Sequence, residues 1–531
     1  MKFTPLIPVG VMASVSLFAT TPESQQQPNI LFIMSDDHAA HAISCYGSRI
    51  NKTPNIDRLA TEGVKMEHCY ATNPICAPSR ASILTGQYSH KNGVPTFNEI
   101  SKDIKTVGGY LRDAGYYTEF LGKWHVGSPS TVRDCDWDHW AVYENQGVYY
   151  NPYFFTRDAK GKIKKKTYKD EYATENITRL AKEGIDRALS ANKPFFMMMH
   201  HKAPHRNWIP NQHYRNAFRK LSLNDIPIPD TLFDDFKGRA TPIKTTDMTL
   251  LKHMRLKQDL KVAEYFSQGG EFEFEGRRYE GAKNAQGQYI DEWPVGADDR
   301  AKIAFSYLRY MQDYLGTVQS IDDSIGEMLD FIKERGIDNN TLVIYTSDQG
   351  FFLGDHGLYD KRFIMEETLK MPFIARFPGV IPAGRISTNV VSNVDFAQTF
   401  LEFAGAPAPK EMQGQSFAGE MTGKMPISSD RAIYCRYYVE GGEHATSAWY
   451  GVVTANDKLV NYYKRGEWEY FDTAKDPQEV NNLYQDVSYA KRINELKTIL
   501  QELKTACEDK DEFSDVPEYI KRPKRKAKRF Y

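Results

Sequence analysis

The sequence predicts an α/β protein, a sheet sandwiched between helices, followed by a smaller antiparallel sheet. Three observations carry this expectation. First, three short apolar runs each end in a polar cluster. NILFIM (29–34) precedes Ser35-Asp36-Asp37, PFFMMM (194–199) precedes His200-His201-Lys202-Ala203-Pro204-His205, and TLVIYT (341–346) precedes Ser347-Asp348-Gln349-Gly350. An unbroken apolar run of this length is what a parallel strand buried on both faces requires. Second, helical patterns lie between the runs. Residues 55–63 place Ile56, Leu59 and Ala60 on one face before Gly63, and 306–335 carry a long apolar stripe that Gly336 stops. Third, the texture changes near residue 425. RAIYCRYYV, YGVVTANDKLVNYY and GEWEYFDT are short Tyr- and Val-rich runs separated by turn residues, and 489–508 reads as a closing helix.

These elements divide the chain into a main domain over 28–420 and a small α+β subdomain over 425–515. A strongly basic tail follows over 516–531, ending KRPKRKAKRFY. Residues 210–300 look polar and irregular, as loop-bearing insertions do. The first 24 residues have one lysine, an apolar stretch from Pro5 to Phe18 and then small residues, the pattern of a secretory signal peptide. This predicts a periplasmic or secreted protein. The apolar stretch is shorter than the roughly 20 residues a spanning helix needs, so no stable membrane insertion is expected.

The formal net charge is −1. No global field therefore favours nucleic acid or a membrane, and an anionic substrate would need a local cluster of cations. The six cysteines, at 45, 69, 76, 135, 435 and 507, have neither zinc-finger nor Cys-x-x-Cys spacing. Cys76 stands before a Pro-Ser-Arg turn. Core filler, one half of a Cys69–Cys76 bridge, nucleophile and precursor of another group all stay open from spacing alone.

The polar clusters carry the chemistry. In α/β sheets, ligands gather at the carboxyl ends of the strands, where segments far apart in sequence converge. Asp36-Asp37 and Asp348-Gln349 follow matching strands, and either pair alone reads as a solvated turn. Together they offer an all-oxygen site with three formal negatives, suited to a hard divalent ion such as Ca²⁺ or Mg²⁺. Lys123 and His125, in Gly122-Lys123-Trp124-His125, are two apart, so on an extended segment they point the same way. With His205 and Lys361 around one metal they would form a cationic pocket for an oxyanion ester.

Cys76-Ala77-Pro78-Ser79-Arg80 followed by Leu84-Thr85-Gly86 resembles the C-x-P-S-R-x-x-x-L-T-G pattern of the type I sulfatases. The Asp-Asp, Gly-Lys-Trp-His and Asp-Gln-Gly elements fall in that family's order, over roughly 28–405 and the smaller sheet beyond. The resemblance implies an alkaline-phosphatase-like mixed sheet. It also implies that a maturation enzyme oxidises Cys76 to formylglycine, whose hydrate attacks sulfur and later expels sulfate. By position, Asp36, Asp37, Asp348 and Gln349, with the modified Cys76, would hold one metal ion, Ca²⁺ in first place. Arg80 would anchor the aldehyde hydrate, and Lys123 and Lys361 would clamp sulfate. His125 would handle the hydrate's proton, and His205 would serve the departing alcohol oxygen. The family more often has Asp-Asn or Asp-His where this chain has Asp348-Gln349, and Gln supplies the same carbonyl oxygen.

The stretch 348–379 is similar to bacterial glycosaminoglycan sulfatases of the N-acetylglucosamine-6-sulfatase kind. This implies a sulfated saccharide partner, heparan sulfate or a related glycan, with Asp360, Arg362 and His444 as sugar contacts. Asp360 and Arg362 could equally form an ion pair on the rim. The alternatives are another sulfated sugar (iduronate, galactose or N-acetylgalactosamine), a phosphate or phosphonate monoester, or an inactive glycan-binding paralogue. The sequence sets no oligomeric state.

Overall fold

The computed structural model describes residues 27–425 and 431–514. The expected signal segment and basic tail lie outside the described residues. The core is a ten-stranded mixed sheet. At its centre, the strands Thr341–Ser347, Asn29–Ser35, Phe195–His200 and Tyr117–Lys123 run parallel, side by side in that order. The three apolar runs of the sequence are therefore three adjacent strands. Their register sets Ser35 opposite Ser347, Met34 opposite His200, and Gly122 opposite His200. All the polar clusters consequently emerge at one level along one edge.

Alternate residues of the central strand enter different cores. Ile30, Phe32 and Met34 pack with Phe396 and Phe400, on the face covered by the helices Cys76–Thr85, Val107–Asp113 and Phe396–Phe403. Leu31 and Ile33 pack with Ile177, Ile321 and Ile325, on the face covered by Pro54–Thr61, Ala173–Ser190 and Asp299–Glu334. Burial on both faces explains why the strand is apolar without alternation. Gly122 lies at φ 94°, and a Cβ there would fall 1.9 Å from the His200 carbonyl oxygen, so only glycine lets Lys123 follow at this height.

The long helix begins earlier than its apolar stripe indicates. Asp298 caps it by accepting from the Ala301 N–H at 2.9 Å, and the helix runs 36 residues. Its first turns meet the 210–300 region, which is not a set of surface loops. That region buries Ile226, Leu232, Ile243, Met248, Tyr265 and Phe272 against Phe305 and Tyr310 as a core of its own. Short helices such as Val262–Ser267 and the hairpin Phe272–Phe274/Arg277–Tyr279 leave no run long enough to show a period.

Beyond residue 431 the strands Ile433–Tyr437, Trp449–Val453, Asp457–Tyr462 and Glu467–Asp472 form an antiparallel meander. The helix Ala490–Ala506 covers one face through Leu496 and Leu500. The other face packs Val460 and Trp449 on Ile75, the residue before Cys76, and on Ile364, three residues after Lys361. All six cysteines are unpaired, so the Cys69–Cys76 bridge is not formed. Among the described residues, no helix is long and apolar enough to cross a membrane.

Candidate active site

The stretch read as a Pro-Ser-Arg turn is the start of a helix. Cys76 is the first residue of Cys76–Thr85, every residue of the helix is buried, and Gly86 closes it at φ 64°. Pro78 costs no hydrogen bond there, because the first four N–H groups of a helix have no partner within it. One turn after Cys76, Arg80 faces the sheet edge. Its Nε donates to Asp348 Oδ2 at 2.9 Å and its Nη1 to the Lys123 carbonyl at 2.8 Å. Ser79 Oγ donates to the Asp348 carbonyl and accepts from Asn393 Nδ2 at 2.8 Å. Ser79 and Arg80 thus tie the helix to the acidic loop.

Three carboxylates and an amide meet behind Cys76. Asp37 N–H donates to Asp348 Oδ1 at 3.1 Å, and Gln349 Nε2 donates to Asp37 Oδ1. Lys123 Nζ bonds Asp36, and Lys361 Nζ lies 2.5 Å from Asp37 Oδ1. Burial, with repulsion from Asp36 and Asp348, pushes the Asp37 carboxyl up to about 7, despite Lys361. Burial, with repulsion from Asp36, pushes Asp348 up to about 6. At Asp36 burial acts in the same sense, but Lys123 and Arg80 outweigh it and hold the group well below the usual carboxylate range. Asp36 Oδ1 and Gln349 Oε1 are buried with no hydrogen-bond donor. Crowded, buried oxygen acceptors fit a hard divalent ion, and Asp36 and Asp37 lie close enough together to share one, with a His205 ring nitrogen beside them.

Of these groups, Asp37 and Lys361 reach a cavity of about 530 Å³, while Asp36, Lys123, Asp348 and Gln349 lie buried outside its lining. Asp37, Cys76, His125, His205, Asp360, Lys361 and Arg362 line it. Burial pushes the Cys76 thiol up to about 11, against the pull of Lys123 and Lys361. A thiol so placed stays protonated near neutrality, which makes it a poor nucleophile. His205 donates from Nδ1 to the Arg206 carbonyl at 2.7 Å, leaving a lone pair on Nε2, 3.6 Å from Asp37 Oδ2. Burial, reinforced by Lys123 and Lys361 and opposed by Asp36, holds the ring neutral. Burial works against charge on Lys361, but Asp37 and Asp360 outweigh it and keep the ammonium charged.

The segment holding His125 is not extended. Lys123 ends its strand and His125 turns at φ 58°. The two side chains still meet through Gln146, whose Oε1 lies 2.5 Å from Lys123 Nζ and whose Nε2 lies 3.3 Å from His125 Nε2. An ammonium only donates, so the amide orientation is forced. Gln146 therefore donates to His125 Nε2, which must be unprotonated. Burial and Lys123 also hold His125 well below the usual histidine range.

Asp360 and Arg362 are both cavity-lining and ion-paired, with Arg362 Nη1 at 2.9 Å from Asp360 Oδ2. His444 Nε2 sits 2.7 Å from the same oxygen, behind Asp360. Asp360 and Arg362 adopt φ 76° and 95° on either side of Lys361. Such left-handed conformations in non-glycine residues collect at functional sites. Sequence reading missed Gln146, Asn98, Phe351 and Arg206. No local pattern marks the first three. Arg206 directly follows His205, and this adjacency was the available signal. Its guanidinium is held by Asp259 Oδ1 at 2.9 Å and by the Tyr359 hydroxyl at 2.9 Å.

Comparison with known families matches residues 28–406 to the Sulfatase family and residues 354–506 to "N-sulphoglucosamine sulphohydrolase, C-terminal". An N-acetylglucosamine-6-O-sulfatase of Bacteroides thetaiotaomicron is 38% identical over 96% of this chain and 92% of that protein. An arylsulfatase of Clostridium perfringens is 27% identical over 89% of this chain and 94% of its own length. Among solved structures, a protein in complex with its substrate D-glucosamine-2-N,6-O-disulfate superposes with a TM-score of 0.80 at 36% identity. That match covers 93% of this chain and 100% of the other.

Proposed function

Because the chain belongs to the sulfatase family, and is thereby a sulfuric ester hydrolase, we propose that it removes the 6-O-sulfate of N-acetylglucosamine from heparan sulfate or related glycosaminoglycan fragments. The observation that carries this reading is one cavity lined by Cys76, Asp37, His125, His205 and the Asp360-Lys361-Arg362 segment. The 38% identity to a protein named for this reaction, over nearly the whole chain, supports the sugar. So does the substrate of the solved neighbour. The cavity volume suits one terminal sugar with its sulfate, an exo-type site.

In this reading Asp36, Asp37, Asp348 and Gln349, with the group made from Cys76, would hold Ca²⁺. The orphaned oxygens of Asp36 and Gln349 fit that role. The bound ion would supply Lewis acidity and offset sulfate charge. Formylglycine would supply an activated oxygen nucleophile and its own exit, which a protonated thiol cannot. Lys361, which lines the cavity, would present its ammonium to the sulfate oxygens, and Lys123, buried against Asp36 and Gln146, would add positive charge from beneath. Arg80 fixes Asp348 and lends positive charge beneath Cys76. His125, whose ring is neutral and whose Nε2 is unprotonated, would serve as proton acceptor for residue 76. His205 would first take a proton from solvent on Nε2, which lines the cavity, and pass it to the leaving sugar oxygen. Asp360 and Arg362 grip ring hydroxyls, and His444 keeps Asp360 oriented. Because the helix of Cys76 is wholly buried, the maturation enzyme must reach it before the fold closes.

Mass spectrometry of the peptide carrying Cys76, isolated from a host with the maturation enzyme, tests this reading. Conversion of thiol to aldehyde lowers its mass by about 18 Da. An unconverted thiol in a preparation that still desulfates would overturn the assignment.

A further inference from the structure

Directly behind Asp360, three ligand atoms of a different kind converge. His253 Nδ1 lies 2.9 Å from His444 Nδ1 and 3.4 Å from Asp247 Oδ1. Asp247 Oδ1 lies 3.8 Å from His444 Nδ1. We propose that Asp247, His253 and His444 form a second divalent-metal site, suited to Zn²⁺, that braces the sugar-facing edge of the cavity.

Four observations support it. The first is spacing. Zinc bonds of about 2.0–2.1 Å in a tetrahedral shell place neighbouring ligand atoms roughly 3.3 Å apart, in the middle of the three separations found here. The second is the tautomer of His444. Its Nε2 faces a carboxylate oxygen of Asp360, which only accepts, so Nε2 carries the hydrogen and Nδ1 presents a lone pair to the cluster. A histidine that donates its far N–H to a carboxylate while offering its other nitrogen is the arrangement metal sites use to orient their ligands.

The third is an unanswered acceptor. Asp247 Oδ1 is buried and has no hydrogen-bond donor. One proton on His253 Nδ1 can serve His444 or Asp247, but it cannot satisfy both, whereas a cation serves all three. The fourth is preorganisation. Thr246 Oγ1 donates to the His444 carbonyl at 2.7 Å, Thr249 N–H to the Asp247 carbonyl at 2.7 Å, and His253 N–H to the Thr249 carbonyl at 3.2 Å. The backbone therefore holds the ligands in place without the ion.

The site is chemically distinct from the acidic cluster under Cys76. Two imidazole nitrogens and one carboxylate suit a borderline ion, whereas the oxygen-only cluster suits a hard one. Asp247 is half exposed, which leaves a fourth position for water. The ion would tie the 246–253 turn to the loop of His444 and, through it, hold Asp360.

The test uses the full chain, stripped with chelator and then given excess Ca²⁺ to fill the oxygen cluster. Zn²⁺ alone is then titrated by calorimetry. Parent protein binds one Zn²⁺ per chain. His253→Ala weakens it by at least about tenfold, and so does the near-isosteric Asp247→Asn, which keeps the fold if His253→Ala does not. Co²⁺ in place of zinc gives the visible absorption of a tetrahedral site, lost in both variants. Zinc affinity and stoichiometry unchanged by both substitutions, or no zinc uptake by the parent, overturns the proposal.

Discussion

Replacing Gln146 by leucine removes two hydrogen bonds from the sulfate-facing cluster while keeping side-chain bulk. The carbonyl end accepts from the charged Lys123 ammonium at 2.5 Å, and the amide end donates to His125 at 3.3 Å. A hydrogen bond to a charged group contributes about 1.5–3 kcal/mol, and a long neutral one contributes less. Lys123 keeps its bond to Asp36, so the ammonium stays paired but loses its second anchor. At about 1.4 kcal/mol per factor of ten, the change lowers kcat/KM by about 10- to 100-fold. The loss falls equally on N-acetylglucosamine-6-sulfate and on an aryl sulfate, because Gln146 contacts the machinery they share. Steady-state kinetics on both substrates, with thermal melts to confirm the fold, make the assay. A loss below about threefold, or one confined to the sugar substrate, would refute the reasoning that Gln146 positions Lys123 and sets the His125 tautomer.

His205→Ala lowers turnover of a sugar sulfate by about 10²–10⁴-fold but touches an activated aryl sulfate little, since only the poor leaving group needs proton assistance. Equal losses on both would remove His205 from that role. Metal dependence carries a pH signature. Asp37 and Asp348 have folded values raised to about 7 and about 6, so without metal they favour the fold when protonated. Their stabilising contribution is therefore present at low pH and lost as pH rises through those values. Asp36 runs the opposite way. A cation requires the ionised forms, so the gain in Tm on adding Ca²⁺ to chelator-treated protein grows from about pH 5 to about pH 8. Scanning calorimetry at several pH values checks this, and a gain that stays flat or shrinks contradicts it.

What the sequence revealed followed physical range. The runs 29–34, 194–199 and 341–346 were legible because a strand buried on both faces is apolar at every position. Their polar ends were legible because strand ends converge in parallel sheets. Cys76-Ala77-Pro78-Ser79-Arg80 read as a turn because proline signals one. The fold uses Pro78 instead in a helix's first turn, where a missing N–H is harmless. The 210–300 core was invisible because its apolar residues are spread through short elements with no period. Gln146 and the Asp247–His253–His444 cluster were invisible because their partners are remote, 191 residues away for His253 and His444. Asp360 and Arg362 left two readings open, sugar contact or ion pair. The geometry shows the pair lining the cavity, with His444 gripping the carboxylate from behind.

The central claim concerns residue 76 and a sugar 6-sulfate together. It is tested most directly by incubating matured protein and its Cys76→Ala variant with a panel of sulfated mono- and disaccharides, scoring which position loses sulfate. The account predicts release from the 6-position of N-acetylglucosamine by the parent and none by the variant. Release by the variant, or by the parent only from another position or sugar, would contradict it.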